Sequence, residues 1–577
     1  MRLNLLAAAL AALSVGAIGS ARAETVVSDI VVYGGTAAGV IAAAAAAREG
    51  ATVTLVEPGL HLGGMASGGL GWTDFGNKTV IGGMSLGIFQ RIGKKYATDI
   101  AWTFEPHVAE SVFNELSRET GVKIRLATRL KEKGGVAKEG AFIKEIFAEN
   151  GDSFQAKVFL DASYEGDLLA QAGVSYTWGR ESSAQYGETL AGVRGHTDKH
   201  QFPVGLSSRS KDGVLYPEIL TVARGTTGAA DSKVQAYNYR LCMTDDSAGR
   251  TAWTKPAGYD AARYALLAHY VDTLTLINGK APGLGNLCKL DRVHGKKTDT
   301  NNNGGFSTDF IGHSWDYPEA TYARRAEIWR EHKEYVQGFF WFLSHDASVP
   351  QATRDDASKW GLAKDEFTDN GNWPHQLYVR EARRMVGEYV MTQKDIQTER
   401  TKDEGVGMGS YNSDSHHVQR IVNDQGAVEN EGDMQVAVQP YEIPYRILTP
   451  KRAQAANLLV PVCFSASHVS YSTLRMEPQY MILGQAAGIA AHMALAAGKP
   501  VQEIDVQALR RRLKELKAEL GTTPVTVAGW DRPLRAAVPG LRARVGRMEA
   551  VSGGDLFGLT GRALRAPALP RSFPPAF

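Results

Sequence analysis

Cysteine and an excess of charge of one sign are what this sequence has least of. Three cysteines in 577 residues (Cys242, Cys288 and Cys463) exclude a disulfide framework, although one bridge between Cys242 and Cys288 stays open. No cysteine has a CxxC neighbour, so thiol redox chemistry has little support. Basic residues number 64 and acidic residues 62, and this balance gives no reason to expect nucleic acid as a partner.

Long apolar runs are also scarce, and the clearest one lies at the start of the chain. Arg2 precedes an apolar run from Leu5 to Ile18, and Ala21-Arg22-Ala23 matches the small-x-small pattern of a secretory cleavage site. The run is too short for a lasting membrane anchor. We therefore expect cleavage after Ala23 and a periplasmic or secreted protein with no stable membrane anchor.

A chain of this length exceeds one ordinary core, so two or three domains are expected. The β-branched run at 28–33 predicts a buried strand. A glycine-rich turn, an alanine-rich helix at 40–48 and a second strand at 51–56 follow, and Glu57 closes the second strand. This βαβ unit with a terminal acidic residue is typical of a dinucleotide-binding fold.

The turn Gly34-Gly35-Thr36-Ala37-Ala38-Gly39 carries the chemistry of that unit. Gly34 permits the tight turn, Gly39 lets the helix pack closely, and the helix N-terminus offers free amides to a pyrophosphate. Thr36 stands at the second glycine of the general fingerprint, where its side chain crowds the pyrophosphate but its hydroxyl could donate to it. Glu57 can accept hydrogen bonds from both ribose hydroxyls.

The segment after Glu57, from Pro58 to Gly69, is dense in glycine, which lets backbone run close to a flat ligand. From Ile30 to Trp72 the chain resembles FAD-dependent oxidoreductases of the glutathione-reductase-like class. More narrowly, it resembles a bacterial, often exported group that is sometimes labelled xanthan-lyase-like and in which a Gly-Gly-Thr loop is common. Later stretches at 121–130, 158–167 and 441–488 match the same family in the expected order, so the resemblance reaches to about residue 525.

The resemblance implies an α/β fold in which a Rossmann-type FAD-binding domain, three-layered with a parallel sheet, is interrupted by an α+β substrate domain. We expect residues 24–175 and 436–525 to form the FAD-binding domain, 176–435 the substrate or cap domain, and 526–577 a partly disordered extension. The cofactor is expected to be noncovalent FAD, although histidines near the position of His61 carry covalent flavin in distant flavoproteins. The residues expected to bind it are Gly34, Gly35, Thr36, Ala37, Ala38, Gly39, Glu57, Pro58, Gly63, Gly64, Met65, Leu130, Ala162, Ser163, Met476 and Glu477.

A helix is predicted to begin near Pro478, since proline suits a first turn, and its small face from Gly484 to Ala491 is expected to pack on the sheet. Its N-terminus and Arg475 are expected to face the pyrimidine edge of the flavin, where positive charge stabilises the anionic reduced form. His468 stands seven residues earlier and, when neutral, could take the proton as hydride leaves a C–H bond. The hypothesis is therefore that His468 is the base and Arg475 the anion stabiliser; a structural role for His468 is the alternative.

The middle of the chain lacks a βαβ pattern. We predict a helix at Tyr322–Leu343, whose aromatic residues are interpreted as core, with a carbohydrate-stacking platform as the alternative. A second helix is predicted at Trp373–Tyr389. On the second, the helical spacing of Arg380, Arg383 and Arg384 is interpreted as a solvated, salt-bridged face, with a substrate-carboxylate clamp as the alternative. His416-His417 has no third ligand at metal spacing, so we expect two surface histidines and no metal.

These patterns predict an FAD-dependent oxidoreductase that transfers hydride between flavin and a small organic substrate. The candidate substrates are a hydroxyl, amine or unsaturated compound, carbohydrate derivatives among them, with an unidentified external electron acceptor. The alternative is a carbohydrate-processing lyase or binding protein in which FAD is structural. A plain NAD-dependent dehydrogenase is the third interpretation, and it predicts a colourless protein.

Overall fold

A computed structural model describes residues 23–521. Nearly all of the expected signal peptide and all of the expected extension at 526–577 lie outside the described residues. The α-helices are α1 (Ala37–Arg48), α2 (Gly83–Lys95), α3 (Pro106–Glu119), α4 (Asp167–Gln171), α5 (Ser183–Tyr186), α6 (Ala265–Asn278), α7 (Tyr322–His345), α8 (Gln351–Ala357), α9 (Gln393–Gln397), α10 (His468–Leu474), α11 (Glu477–Ala497) and α12 (Val506–Glu515).

The strands are β1 (Thr25–Val27), β2 (Ile30–Tyr33), β3 (Val53–Val56), β4 (Lys123–Arg125), β5 (Val136–Glu139), β6 (Phe142–Phe147), β7 (Ser153–Gln155), β8 (Val158–Asp161), β9 (Tyr176–Thr177), β10 (Leu241–Thr244), β11 (Arg250–Thr251), β12 (Cys288–Arg292), β13 (Lys297–Asn302), β14 (Gly361–Ala363), β15 (Arg384–Met385), β16 (Gly405–Gly409), β17 (Ser413–Ser415), β18 (Gln419–Val422), β19 (Val428–Glu431), β20 (Met434–Val436), β21 (Tyr441–Pro444) and β22 (Leu458–Leu459).

The central sheet has five parallel strands in the order β22-β8-β2-β3-β4. Strands β2, β3 and β8 are buried along their whole length, which explains why they are apolar at nearly every position. The predicted strand–helix–strand unit is confirmed as β2, α1 and β3, and so is the α/β class. Because all five strands run the same way, their carboxyl ends share one edge, and the loop after β2 lies there.

Helix α11 packs mainly on α1. A Cβ added at Gly484 would lie 2.4 Å from the carbonyl oxygen of Ala38, and one at Gly488 would lie 2.2 Å from that of Ala42. The small-residue face therefore allows close contact between α11 and α1. The prediction that this face packs directly on the sheet is corrected, because it packs on α1. By length and composition α11 could cross a membrane, but most of it is buried in the core of the described chain.

The segment between the two parts of the parallel sheet builds a second, antiparallel sheet in the order β11-β14-β10-β13-β12. Cys242 lies in β10 and Cys288 in β12, on either side of β13, and both are buried free thiols. The bridge that the sequence left open is therefore not formed. The domain boundaries given above stay predictions.

One predicted helix of this middle segment is confirmed and the other is wrong. The helix expected at Tyr322–Leu343 is α7, which begins at Tyr322 and ends at His345. The segment Trp373–Tyr389 is not helical: it is irregular, with only the two-residue strand β15, which pairs with β9. Its arginines lie in separate buried contacts instead of sharing a solvated helix face.

Candidate functional site

The chain leaves the central sheet through a turn that only glycine adopts easily. Gly34 follows β2 with φ = 100°, a left-handed conformation that strains any residue with a Cβ. A Cβ there would also lie 2.6 Å from the backbone nitrogen of Ser163, which follows β8. The turn thus brings the ends of β2 and β8 into contact and leaves the N-terminus of α1 at the sheet edge.

Helix α1 starts close against this turn. Thr36 is its N-cap: its hydroxyl accepts from the backbone N–H of Gly39 at 3.2 Å and donates to the carbonyl of Ala162 at 2.8 Å. A Cβ at Gly39 would lie 1.9 Å from the carbonyl oxygen of Gly34, so no larger residue fits. Because the hydroxyl proton is already donated to Ala162, Thr36 serves the helix cap and is not free to donate to a pyrophosphate, as the sequence had suggested.

Glu57 closes β3 beside the turn. Its carboxylate accepts from the backbone N–H groups of Gly35 and Gly59, each at 2.6 Å. Burial raises the pKa of Glu57 to about 7, and the two backbone N–H groups oppose that shift. The side chain is therefore held rigidly at the edge of the sheet with two of its lone pairs used and the others open to hydroxyl donors.

The glycine pair after Glu57 runs back against the first turn. Gly63 and Gly64 both have positive φ (104° and 54°), and the N–H of Gly63 donates to the carbonyl of Gly35 at 2.7 Å. A Cβ at Gly64 would lie 2.3 Å from the hydroxyl of Tyr164, which accepts from the N–H of Met65. Two glycine turns thus lie side by side and expose backbone where an extended ligand would pass.

A cavity of about 510 Å³ opens over these turns. Six of the residues expected to bind the cofactor line it: Gly34, Thr36, Glu57, Pro58, Gly64 and Ser163. Helix α7 supplies a wall that the sequence analysis missed, formed by Tyr322, Arg325, Ala326 and Trp329. The aromatic residues of α7 are visible in the sequence, where core packing is the interpretation and carbohydrate stacking the alternative.

The other expected residues lie behind the cavity wall. The amide of Leu130 donates to the hydroxyl of Tyr33 at 3.2 Å, and Tyr33 lines the cavity. The remaining ones support the turns from within the core or begin a helix: Gly35, Ala37, Ala38, Gly39, Gly63, Met65, Ala162, Met476 and Glu477. An adenosine diphosphate group fits this arrangement, since backbone approaches without side chains, a helix N-terminus faces the cavity and a carboxylate stands beside it.

The N-terminus of α11 carries a buried acid with one unused oxygen. Met476 is the N-cap, and Pro478 lies in the first turn as predicted. Oε1 of Glu477 accepts from the hydroxyl of Tyr164 at 2.7 Å, whereas Oε2 is buried without a partner among the described residues. Burial raises the pKa of Glu477 to about 8, so the group is largely protonated at neutral pH and offers a donor. An unsatisfied donor beside Tyr164, which lines the cavity, is consistent with a polar ligand edge at this place.

Arg475 lies just before α11 in a buried polar cluster. Its Nε and Nη2 donate to the carbonyl of Asp414 at 3.1 and 2.8 Å. Tyr378 is close to this arginine and has the guanidinium groups of Arg380 and Arg240 over its ring, at 5.0 and 5.3 Å from its centroid. The Nε of Arg380 is buried with no partner among the described residues.

His468 belongs to a different network. Its Nδ1 lies 2.9 Å from Oε2 of Glu381, and its backbone N–H donates to Glu181. Burial opposes the ionisation of Glu381, but the neighbouring His468 and Arg384 outweigh it and lower the pKa of Glu381 to about 2. His468 is not among the residues that line the cavity. It begins α10, and the rise of that helix places it about 10 Å from Arg475.

The remaining expectations for the middle segment are corrected. Arg380 contacts Asp309, Arg383 contacts Asp167 and Glu319, and Arg384 contacts Glu181 and Glu381, all with little or no exposure of the arginine. The solvated arginine face is therefore wrong. His416 and His417 are 8% and 3% exposed, so they are not surface histidines; Nδ1 of His416 lies 2.7 Å from Asp309.

The model of a protein family described as FAD dependent oxidoreductase matches residues 29–513. A comparison with curated proteins finds no match. Solved structures with a similar part include an L-amino acid deaminase from Proteus vulgaris, at 14% identity over 27% of this chain and 52% of that chain with a TM-score of 0.21. Another is the amino acid oxidase NikD, at 12% identity over 27% of this chain and 57% of that chain with a TM-score of 0.21.

A third is a thioredoxin reductase from T. acidophilum, at 20% identity over 23% of this chain and 34% of that chain with a TM-score of 0.17. The chain thus spans only about half of these proteins or less. No substrate follows from likenesses of this size.

Proposed function

Because this chain belongs to the family of FAD-dependent oxidoreductases, and is therefore an enzyme that uses FAD, we propose that it transfers hydride between the flavin and a small organic substrate. The observation that carries the proposal is the pair of glycine turns with Glu57 beside them at the carboxyl edge of the parallel sheet. When bound, FAD supplies the hydride acceptor or donor, and the protein supplies binding, orientation and proton transfer.

The turn residues hold the adenosine half. Free amides at the N-terminus of α1 would bind the pyrophosphate, and the open lone pairs of Glu57 would accept from the ribose hydroxyls. The N-terminus of α11 and the protonated Glu477 would supply donors to the pyrimidine edge. Arg475 adds positive charge there, which favours an anionic ring.

Noncovalent binding is part of the proposal. Nδ1 of His61 lies 2.8 Å from Glu110 and Nε2 lies 3.1 Å from Asp369, so both ring nitrogens point to carboxylates of the protein. Acid precipitation of the purified protein is expected to leave the yellow colour in the supernatant. Colour that stays with the pellet would contradict this part.

His468 is proposed as the base that takes the substrate proton, with Glu381 as its positioning residue. The carboxylate holds Nδ1 in its protonated form, which leaves Nε2 as the acceptor, the arrangement that histidine bases commonly use. Nε2 has no hydrogen bond to any residue in the described part of the chain. His468→Gln keeps an amide that can donate to Glu381 but cannot take the proton. It is expected to lower turnover at least about 100-fold with FAD content unchanged.

Full turnover in His468→Gln would end that assignment. A loss of FAD or of thermal stability in step with the loss of turnover would indicate the structural role instead. A loss of turnover alone, with FAD content and thermal stability unchanged, supports the base.

The substrate class is proposed as a hydroxyl, amine or unsaturated compound, carbohydrate derivatives among them. Anaerobic titration of the purified holoenzyme with candidate sugars, hydroxy acids and amines tests it: a substrate that reduces the flavin bleaches its visible absorbance. Cleavage of a sugar without bleaching would favour the lyase.

Export is also proposed, on the pattern of residues 2–23, with an electron acceptor outside the cytoplasm. N-terminal sequencing of the protein recovered from the periplasm should begin at Glu24. An unprocessed N-terminus on cytoplasmic protein would contradict it.

A further inference from the structure

Two histidines and an aspartate from distant parts of the chain meet at the mouth of the cofactor cavity. His61 follows Glu57 in the glycine-dense segment, whereas Asp369 and His375 come from the middle of the chain. One ligand atom of each lies within 4.8 Å of the others. Both histidines line the cavity, with side chains 24% and 13% exposed.

We propose that His61, Asp369 and His375 bind a divalent transition-metal ion. Two imidazole nitrogens and a carboxylate oxygen are ligands that suit Zn²⁺ and its neighbours. This inference concerns a binding site and does not depend on the proposed substrate or base.

The distances are those of a tetrahedral site. Metal–ligand bonds of about 2.0–2.1 Å place neighbouring ligand atoms about 3.3 Å apart. Nε2 of His61 lies 3.1 Å from one oxygen of Asp369, and Nε2 of His375 lies 3.3 Å from the other. Each Nε2 thus lies near its own oxygen of Asp369, at the spacing of neighbouring ligand atoms around one ion, with a further position left for water.

The outer partners of the histidines agree with this. A histidine that binds a metal commonly donates its other ring N–H to a carboxylate, which fixes the ring. Nδ1 of His61 lies 2.8 Å from Oε1 of Glu110, in helix α3. His375 has no such partner in the described part of the chain, and its ring stacks on that of His61 with centroids 3.4 Å apart and planes 11° apart. A tilt of the His375 ring, which also lies edge-on to Phe367, would let both Nε2 lone pairs point to one ion.

A second group of this kind is less suited to a metal. Glu105, His107 and Glu366 also have ligand atoms within 4.8 Å of one another. The ammonium of Lys297 already lies 2.7 Å from both Glu105 and Glu366, so their negative charge is neutralised by a resident cation. No lysine or arginine forms an ion pair with Asp369 among the described residues. This difference makes the second group an internal control.

The metal would join two segments that border the cofactor. The loop of His61 carries the glycine pair, and the backbone N–H of Gln376, next to His375, donates to the carbonyl of Gly68 at 3.1 Å. An ion across this boundary holds the two segments together. Bound Zn²⁺ is therefore expected to raise the melting temperature of the holoenzyme and to slow FAD release.

The test uses the holoenzyme, dialysed against EDTA and then against metal-free buffer, and titrated with ZnCl₂ by calorimetry. The expected result is one strong site per chain, weakened at least about tenfold in Asp369→Asn and in His375→Gln and unchanged in His107→Gln. Before the titration, each metal-free variant is checked to have the same FAD content and melting temperature as the metal-free parent protein. The rise in melting temperature on addition of ZnCl₂ is a second readout.

Absence of a stoichiometric site in the parent protein would overturn the proposal. So would a site that is lost in His107→Gln and kept in Asp369→Asn, because the ion would then belong to the second group. Two variants on different ligands keep the test decisive if one of them fails to fold.

Discussion

The close contact between α1 and α11 gives a prediction in which one type of substitution has opposite effects at two glycines. Gly488, in α11, and Gly87, in α2, are both helical. A Cβ at Gly488 would lie 2.2 Å from the carbonyl oxygen of Ala42, whereas one at Gly87 meets nothing within 4 Å. Both Gly87→Ala and Gly488→Ala therefore gain the same helix propensity, but only Gly488→Ala introduces a steric clash.

The magnitudes follow from these contacts. Alanine in place of a helical glycine stabilises by about 0.5–1 kcal/mol when the site is open, which is the expectation for Gly87→Ala. At Gly488 an ordinary contact requires the two helices to separate by about 1 Å, and overpacking of this kind costs about 1–3 kcal/mol. The net expectation for Gly488→Ala is a loss of about 1–2 kcal/mol.

The assay is unfolding of the holoenzyme in guanidinium chloride, followed by flavin and tryptophan fluorescence. For a unit of about 500 residues, 1 kcal/mol moves the melting temperature by only about 1 °C, so denaturant midpoints are the better measure. Because α1 carries the cofactor turn at its N-terminus, Gly488→Ala is also expected to weaken FAD retention and Gly87→Ala is not. A stabilised Gly488→Ala, or a shift of the same sign in both variants, would refute the packing argument.

Further predictions concern single side chains. Glu477 keeps its proton to a pKa of about 8 in the fold, whereas an unfolded glutamate loses it near 4.5. The free energy of unfolding of the parent protein should thus fall as pH rises from about 5 to 8. Glu477→Gln should make this fall smaller by up to about 4 kcal/mol, as measured from denaturant midpoints at both pH values. Thr36→Val should cost about 1–2 kcal/mol by leaving the carbonyl of Ala162 unpaired while FAD affinity changes little; a large loss of affinity would mean that the hydroxyl binds phosphate. Glu57→Ala should weaken FAD binding about 10- to 100-fold in a fluorescence titration, and unchanged affinity would remove the ribose role. All three cysteines should resist a thiol reagent until the protein unfolds, and rapid labelling of the native protein would contradict their burial.

The cofactor end of the molecule could be predicted from the sequence because its signals are local. The β-branched runs of β2 and β3, the alanines of α1 and the glycines of the turn each determine their own neighbourhood. What the sequence did not reveal is which side chain each backbone group meets. Thr36 looked like a phosphate donor, and only the position of β8 shows that the carbonyl of Ala162 takes its proton.

The wall of the cavity and the metal ligands could not be predicted, because their partners are far apart in the chain. Tyr322 and Trp329 are aromatic residues on an amphipathic helix, a pattern that core packing explains equally well. His61 and His375 are separated by more than half of the described chain, so no ligand spacing exists to detect. Sites of this kind emerge from topology alone.

The wrong helix at 373–389 has the same origin. The spacing of Arg380, Arg383 and Arg384 fits one face of a helix, but it places no constraint on which acids these residues contact. In the structure each arginine enters a different buried contact, and an extended, irregular backbone is what allows neighbouring side chains to diverge: Arg380 toward Asp309 and Arg384 toward Glu181. A buried guanidinium needs a carboxylate or several carbonyls, so these contacts fix the path of the segment more strongly than helix propensity does. Charge spacing predicts a helix only where the charges face water, and exposure is the quantity that a single sequence does not give.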